Sequence, residues 1–213
     1  MDAEFWRERW REGRLGWHHP AAHPMLVRRL PEFGLAEGAR VFLPLCGKTL
    51  DVGWLLSTGF RVAGAELVET AVEQLFAGLG VEPRIEPAGP LSRYSAPGVD
   101  IFVGDIFDLN PATLGPVDLV YDRAALVALP EPIRRRYAAH VTALAAGAPQ
   151  LLVTFDYDQS RMDGPPFSVT EAEVRALYGS AYDVAPVDSA EVEGGLKGFC
   201  PAMERAWALK ARR

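Results

Sequence analysis

The sequence predicts one α/β domain built on a doubly wound, mostly parallel sheet with helices on both faces. Three observations carry that expectation. Short apolar runs alternate with amphipathic stretches from residue 40 onward. Ile101-Phe102-Val103 and Leu151-Leu152-Val153 are continuously apolar, as strands covered on both faces are. Finally, 213 residues with 49 % hydrophobic and 23 % charged side chains suit one globular core and leave no length for a second. Surface scaling for this size gives about 10,000 Å² exposed and about 70 % of the unfolded surface buried, so neither metal nor disulfide is needed for stability.

In chain order, Arg40 to Leu45 reads as the first strand, Leu50 to Thr58 as a helix closed by Gly59, and Arg61 to Glu66 as the second strand. An amphipathic stretch through Leu79 completes a β-α-β-α unit. Val99 to Val103, Val117 to Asp122 and Gln150 to Phe155 supply three further strands, with a helix over Glu131 to Leu144 between the last two. Thr170-x-x-Glu173 matches a capping box opening a helix to about Tyr178. Tyr182 to Val187 and Ala202 to Leu209 read as a closing hairpin that makes an antiparallel edge. Ahead of the sheet, residues 1–39 hold Trp6, Trp10 and Trp17. Trp6 and Trp10, at i and i+4, share one face of a helix that Asp2 is placed to cap. We therefore divide the chain into an N-terminal helical lid, 1–39, and a sheet, 40–213.

Composition excludes several function classes. A formal net charge of −6 disfavours nucleic acid and anionic membranes as partners, and Arg134-Arg135-Arg136 is too short to reverse it. The charged start has no apolar signal region, and the most apolar stretch is interrupted by His140, Gly147, Pro149 and Gln150. The two cysteines, Cys46 and Cys200, form no ligand or disulfide spacing, which fits a reduced, cytoplasmic protein. His18, His19 and His23 have no metal-ligand pattern, and Pro20 and Pro24 make their segment a turn, so no metal is expected. Contact with substrate and plain surface or capping roles both remain open for them.

In an open parallel sheet, ligands bind beyond the carboxyl ends of the strands. The first strand leads into Pro44-Leu45-Cys46-Gly47-Lys48-Thr49, which has Phe42 where a phosphate loop requires glycine and a single glycine where a dinucleotide loop uses three. Glu66 falls about 20 positions after Gly47, where an acidic side chain accepts ribose hydroxyls; the alternative is a helix cap. An adenosine-containing cofactor without a pyrophosphate, such as S-adenosylmethionine, suits this pattern. Asp105 and the apolar Ile106-Phe107 follow the third strand and suit an adenine ring, with a plain turn as the alternative. Arg123 follows the fourth strand, either facing an electron-rich substrate atom or paired with Asp122. Trp6, Trp10 and Trp17 read as core or as an aromatic lid attracting a sulfonium. Cys46 reads as a small buried side chain.

These segments together resemble the thiopurine S-methyltransferase family. The resemblance rests on Val41-Phe42-Leu43-Pro44-Leu45-Cys46-Gly47-Lys48-Thr49-Leu50-Asp51, Gly64-Ala65-Glu66, Gly104-Asp105-Ile106-Phe107-Asp108-Leu109, Tyr121 to Leu129 and Gly164-Pro165-Pro166-Phe167, and covers about residues 4 to 209. Phe5-Trp6, Trp10 and Gly16-Trp17-His18 resemble its bacterial branch. The resemblance implies a class I methyltransferase sheet of seven strands with the last antiparallel, and S-adenosylmethionine as cofactor. It further implies Trp10, Leu45, Glu66, Asp105, Ile106 and Arg123 at the cofactor, with Trp17 and His18 at the substrate.

Arg123 is then placed beside both the transferred methyl and a small-molecule thiol. In-line transfer to a soft, readily ionised thiol needs positioning and no obligate base. Trp17 stands where the family more often has phenylalanine. A substrate-facing basic residue of the family is missing from Ala190 to Gly198, with Lys197 as a substitute. Reduced selenium or tellurium species are further candidate substrates, and a monomer is expected. Three other functions compete: a halide or bisulfide methyltransferase, a nicotinamide-dependent oxidoreductase, and a non-catalytic binding module.

Overall fold

The computed structural model describes residues 3–14, 16 and 18–212. The expected cap at Asp2 and the lid residue Trp17 lie outside the described residues. Among the described residues, sixteen α and β elements follow one another, alternating over much of the sheet as the sequence predicts. They are α1 (Ala3–Arg11), α2 (Pro24–Arg29), β1 (Arg40–Pro44), α3 (Asp51–Ser57), β2 (Arg61–Glu66), α4 (Glu69–Leu79), β3 (Arg84–Ala88) and β4 (Leu91–Ala96). Then come β5 (Val99–Val103), α5 (Pro111–Leu114), β6 (Leu119–Asp122), α6 (Glu131–Leu144), β7 (Gln150–Asp156), α7 (Glu171–Tyr178), β8 (Tyr182–Glu191) and β9 (Met203–Ala211).

All nine strands join one sheet in the order β3-β4-β5-β2-β1-β6-β7-β9-β8. The five central strands, β5 to β7, run parallel. Side-chain alternation along them builds two cores. Phe42, Val120 and Leu152 face α5, α6 and α7, whereas Val41, Leu43, Leu119, Tyr121 and Leu151 face α2, α3 and α4. Helices thus cover both faces of the sheet. Among the described residues, no helix is long and apolar enough to cross a membrane.

The sheet departs from the expected seven strands in two ways. β3 and β4 form an extra antiparallel hairpin outside β5. Only Leu91 and Tyr94 of its side chains are buried, and Pro87 sits in the edge strand, so the segment carries no apolar run to reveal it. At the other edge, the antiparallel last strand β9 lies between β7 and β8 and is not itself the edge. β9 is the more apolar of the two, burying Ala206, Trp207, Ala208 and Leu209. β8 exposes Asp183 and Glu191 and carries a bulge at Pro186/Asp188, features that protect an edge strand from pairing further.

Thr170 caps α7 through the Glu173 N–H, as expected. The Glu173 carboxylate does not close the box. It takes a forked pair from the buried Arg134 guanidinium, at 2.6 and 3.2 Å, joining α7 to α6. Arg136 lies 3.8 Å over the Phe107 ring. Two of the three consecutive arginines are therefore committed to packing.

Candidate active site

The chain runs outward from β1 through β2 to β5 and then returns to β6 on the other side of β1, so the crevice opens at the carboxyl ends of β1 and β6. A cavity of about 1000 Å³ lies there. Sheet order arranges its walls. Asp105 after β5, Glu66 at the end of β2 and Leu45 after β1 form one end, Arg123 after β6 the middle, and Phe155 of β7 with Glu204 of β9 the other end.

The β1 loop is held by its own backbone. The Cys46 N–H donates to Ala65 O at 3.0 Å, and the Gly47 N–H donates to Glu66 Oε2 at 2.7 Å. Glu66 Oε1 accepts from Val68 N at 2.8 Å, so this carboxylate braces both the loop and the entry to α4. Burial pushes the Glu66 carboxyl up, against these N–H donors, which favour its ionised form. Both the helix-entry role and a place in the cavity wall are therefore real. Each oxygen keeps a further lone pair for a ligand hydroxyl. Gly47, at φ 54°, is strained and crowded for a side chain: a Cβ would sit 3.2 Å from Cζ2 of Trp10, which α1 lays over the loop. Cys46 is buried, and burial followed by the Glu66 charge pushes its thiol up, so it is an inert packing group. Gly64 makes room for it, since a Cβ there would lie 2.9 Å from Sγ.

Asp105 is exposed and accepts from the Phe107 N–H at 2.9 Å, capping the 3₁₀ turn Ile106–Asp108. The plain turn role is thus fulfilled by Oδ1, and the residue still lines the cavity beside Ile106 and Phe107. Around Arg123 the expected alternative pairing does not form. Asp122 is fully buried on the opposite face, where its carboxylate accepts from Leu126 N at 3.1 Å and from the Tyr137 hydroxyl at 2.8 Å. Burial pushes this carboxyl up to about 6. Among the described residues, no ion pair joins Asp122 to Arg123, and Arg123 lines the cavity.

Backbone strain concentrates at the same place. Leu45, Ala124 and Lys197 have φ of 47°, 60° and 54° and line the cavity; Ala146, the other such non-glycine residue among those described, does not. Each such conformation costs about 1–3 kcal/mol, and its presence at a cavity wall marks a loop bent to present a group inward.

His18 lines the cavity, and burial followed by Lys48 and Arg123 holds its ring below the usual histidine range. His19 turns Nδ1 to Ala21 O at 3.3 Å. His23 is buried and was not separated from its neighbours by the sequence. Its N–H donates to Asp51 Oδ1 at 2.7 Å, and its Nε2 lies 3.1 Å from Glu204 Oε1. Glu204 went unread for a topological reason. Residues that follow strands reach the ligand edge only on parallel strands; on antiparallel β9 it is the start of the strand that lies there.

Strand order, helices on both faces and a single-glycine loop facing an acidic residue on the next strand define a class I S-adenosylmethionine-dependent methyltransferase. Solved structures share the fold. The Burkholderia thailandensis 1,6-didemethyltoxoflavin-N1-methyltransferase, crystallised with S-adenosylhomocysteine, aligns with a TM-score of 0.68 at 20 % identity over 99 % of this chain and 87 % of that one. Magnesium protoporphyrin IX methyltransferase from Synechocystis PCC 6803 gives 0.64 at 15 % identity over 99 % and 100 %.

Sequence comparison is more specific. Residues 1–202 match the thiopurine S-methyltransferase family model. A thiopurine S-methyltransferase of Xanthobacter autotrophicus is 57 % identical over 99 % of both chains, and one of Gluconobacter oxydans 52 % identical over 97 % of this chain and 94 % of its own. The chain belongs to the thiopurine S-methyltransferase family.

The residues present fit the cofactor of that family. The loop cradle is one that a Cβ at position 47 would crowd, and the buried Glu66 carboxylate accepts from two N–H donors and retains lone pairs for a ligand hydroxyl.

Proposed function

We propose that the protein methylates the sulfur of an aromatic or heterocyclic thiol, with thiopurines among its substrates. The placement of Arg123 carries this reading. It lines the middle of the cavity, between the loop-and-Glu66 end and a wall formed by Val127, Leu129, Ile133, Phe155 and Pro166, while the Asp122 carboxylate is bonded to Leu126 N and the Tyr137 hydroxyl. A cavity of about 1000 Å³ with that apolar wall suits a flat ring and disfavours a halide or bisulfide ion. The relatives' names point the same way.

S-adenosylmethionine, when bound, supplies an electrophilic methyl carbon. Glu66 holds the ribose hydroxyls, Asp105 with Ile106 the adenine, and Leu45 with Trp10 the remainder. Arg123 stabilises the thiolate, lowering the thiol's pKa, and aligns its sulfur for in-line displacement. His18, held below the usual histidine range by burial and then by Lys48 and Arg123, lines the substrate side. Trp17 joins it in our reading, and residues 1–39 act as a lid closing on both ligands. Selenium and tellurium nucleophiles share the required softness. We place the protein in the cytoplasm as a monomer, in keeping with its free buried cysteines.

Calorimetric titration with S-adenosylhomocysteine and with NAD, followed by a methyl-transfer assay on 6-mercaptopurine, tests the reading. Binding of the adenosyl ligand and a methylated product are expected. Binding of NAD alone would overturn it.

A further inference from the structure

The cavity end away from Glu66 contains a carboxylate that the methyl-transfer scheme does not use. Glu204 opens β9 on the face shared with Tyr121, at the ligand edge of the sheet, with its side chain 17 % exposed. His23 fixes it from behind: Nε2–H donates to Oε1 at 3.1 Å, since a carboxylate only accepts. His23 is 3 % exposed, and its Nδ1 is buried without a partner among the described residues, so the ring's hydrogen bond among them is the one to Glu204. The ring is held in turn by its backbone bond to Asp51, whose other oxygen accepts from Thr49 Oγ1 at 2.9 Å, and by edge packing on His19 at 5.5 Å. Burial first, and then the charges of Asp51 and Glu204, push the nearby Tyr121 hydroxyl up, with Arg123 opposing them. Glu191 and Glu193 also reach the cavity but are exposed.

Resting on the thiol reading above, we propose that Glu204, positioned by His23, accepts the ring N–H of a heterocyclic thioamide and so selects such rings over simple aryl thiols. A heterocyclic thiol that has not ionised carries its proton largely on ring nitrogen, as the thione, and this neutral form, in place of the thiolate that an aryl thiol presents to Arg123, is the one Glu204 recognises. When the sulfur of that form is methylated, a sulfur–carbon bond forms, the donor's sulfonium carbon–sulfur bond breaks, and that bond's electron pair stays on the donor sulfur. The ring becomes cationic, and its N–H far more acidic. The N–H electron pair then restores the ring C=N while the proton passes to Glu204 and out to solvent, so a carboxylate is base enough. Arg123 and Glu204 thus read opposite features of one ligand: electron-rich sulfur and electron-poor N–H.

The test compares kcat/KM, with S-adenosylmethionine, for 6-mercaptopurine and for a substituted thiophenol of matched thiol acidity. In Glu204→Gln, His23 holds the amide oxygen and the amide NH₂ meets the ring N–H, donor against donor. A loss of about 10- to 100-fold on 6-mercaptopurine is expected, with the thiophenol changed less than about threefold. Glu204→Ala should give the same split, and His23→Ala a smaller split in the same direction. Equal losses on both substrates, or none on 6-mercaptopurine, overturn the proposal. Wild-type enzyme supplies a test independent of variant folding: the N1-methyl derivative of 6-mercaptopurine should be used about tenfold less well, and equal use overturns the proposal. Wild type that binds S-adenosylhomocysteine yet methylates neither thiol overturns the thiol reading, and this inference with it.

Discussion

The two ends of the cavity are built by different means. At the Glu66 end, the partners are backbone groups: Gly47 N, Val68 N and Ala65 O fix the loop within a few residues of the strands that carry it. At the Glu204 end, side chains from distant parts of the chain hold one another, with His23 and Glu204 separated by 181 positions. Backbone wiring tolerates little change in loop geometry and suits a cofactor that stays the same. Side-chain wiring can be altered one substitution at a time.

The largest effect that would sharpen this contrast is on cofactor affinity. Glu66→Ala should weaken S-adenosylhomocysteine binding by about 1.5–3 kcal/mol, as a charged hydrogen-bond partner is lost and two N–H donors are left unsatisfied. Calorimetry on the folded variant measures it, and unchanged affinity would reduce Glu66 to a brace for α4. Arg123→Ala addresses the junction between the ends. Turnover at neutral pH should fall about 10- to 100-fold, and the pH–rate profile should move toward higher pH, because the thiol loses the cation that lowers its pKa. An unmoved profile would remove Arg123 from thiolate stabilisation.

Next in size is a pH effect from beneath the site. Asp122 is raised to about 6 in the folded protein and lies near 3.9 unfolded, so the native state binds the extra proton between those values. Its contribution to stability is therefore highest at low pH and declines as pH rises toward 6. Asp122→Asn should accordingly gain about 2 kcal/mol relative to wild type between pH 4.5 and 7.5, whatever its offset at one pH. Denaturant unfolding at the two pH values reads this, and parallel pH dependences would show that Asp122 titrates normally. The smallest change tests the tight loop: Gly47→Ala, strained at φ 54° and pressed on Trp10, should cost about 1 kcal/mol of stability and weaken the adenosyl ligand more than a thiol. Equal weakening of both would blur the two ends into one.

Much of the Glu66 end was legible in the sequence because its contacts are local in pattern. Glu66 follows a strand, faces a glycine about 20 positions earlier, and needs only two adjacent parallel strands to meet it. Asp105, Ile106 and Arg123 follow strands in the same way, and all line the cavity. The other end was not legible. His23 stood in the sequence as one of three histidines in a proline-bounded turn, and Glu204 as an ordinary polar residue at a strand start. Only the insertion of β9 between β7 and β8, reversed in direction, carries Glu204 to the ligand edge. The edge hairpin β3–β4 escaped for the opposite reason: having little to bury, it left no hydrophobic signature.

The sequence by itself determined the parallel core, the helices on both faces and the loop chemistry for an adenosyl cofactor, because apolar periodicity and strand-end residues are local consequences of burial and chain direction. The tertiary structure decided the number of strands, the place of the antiparallel strand, the separation of Asp122 from Arg123 and the meeting of His23 with Glu204. Those outcomes depend on which strands become neighbours and which face each residue takes. Both are settled when the sheet assembles, and no short window of sequence contains them.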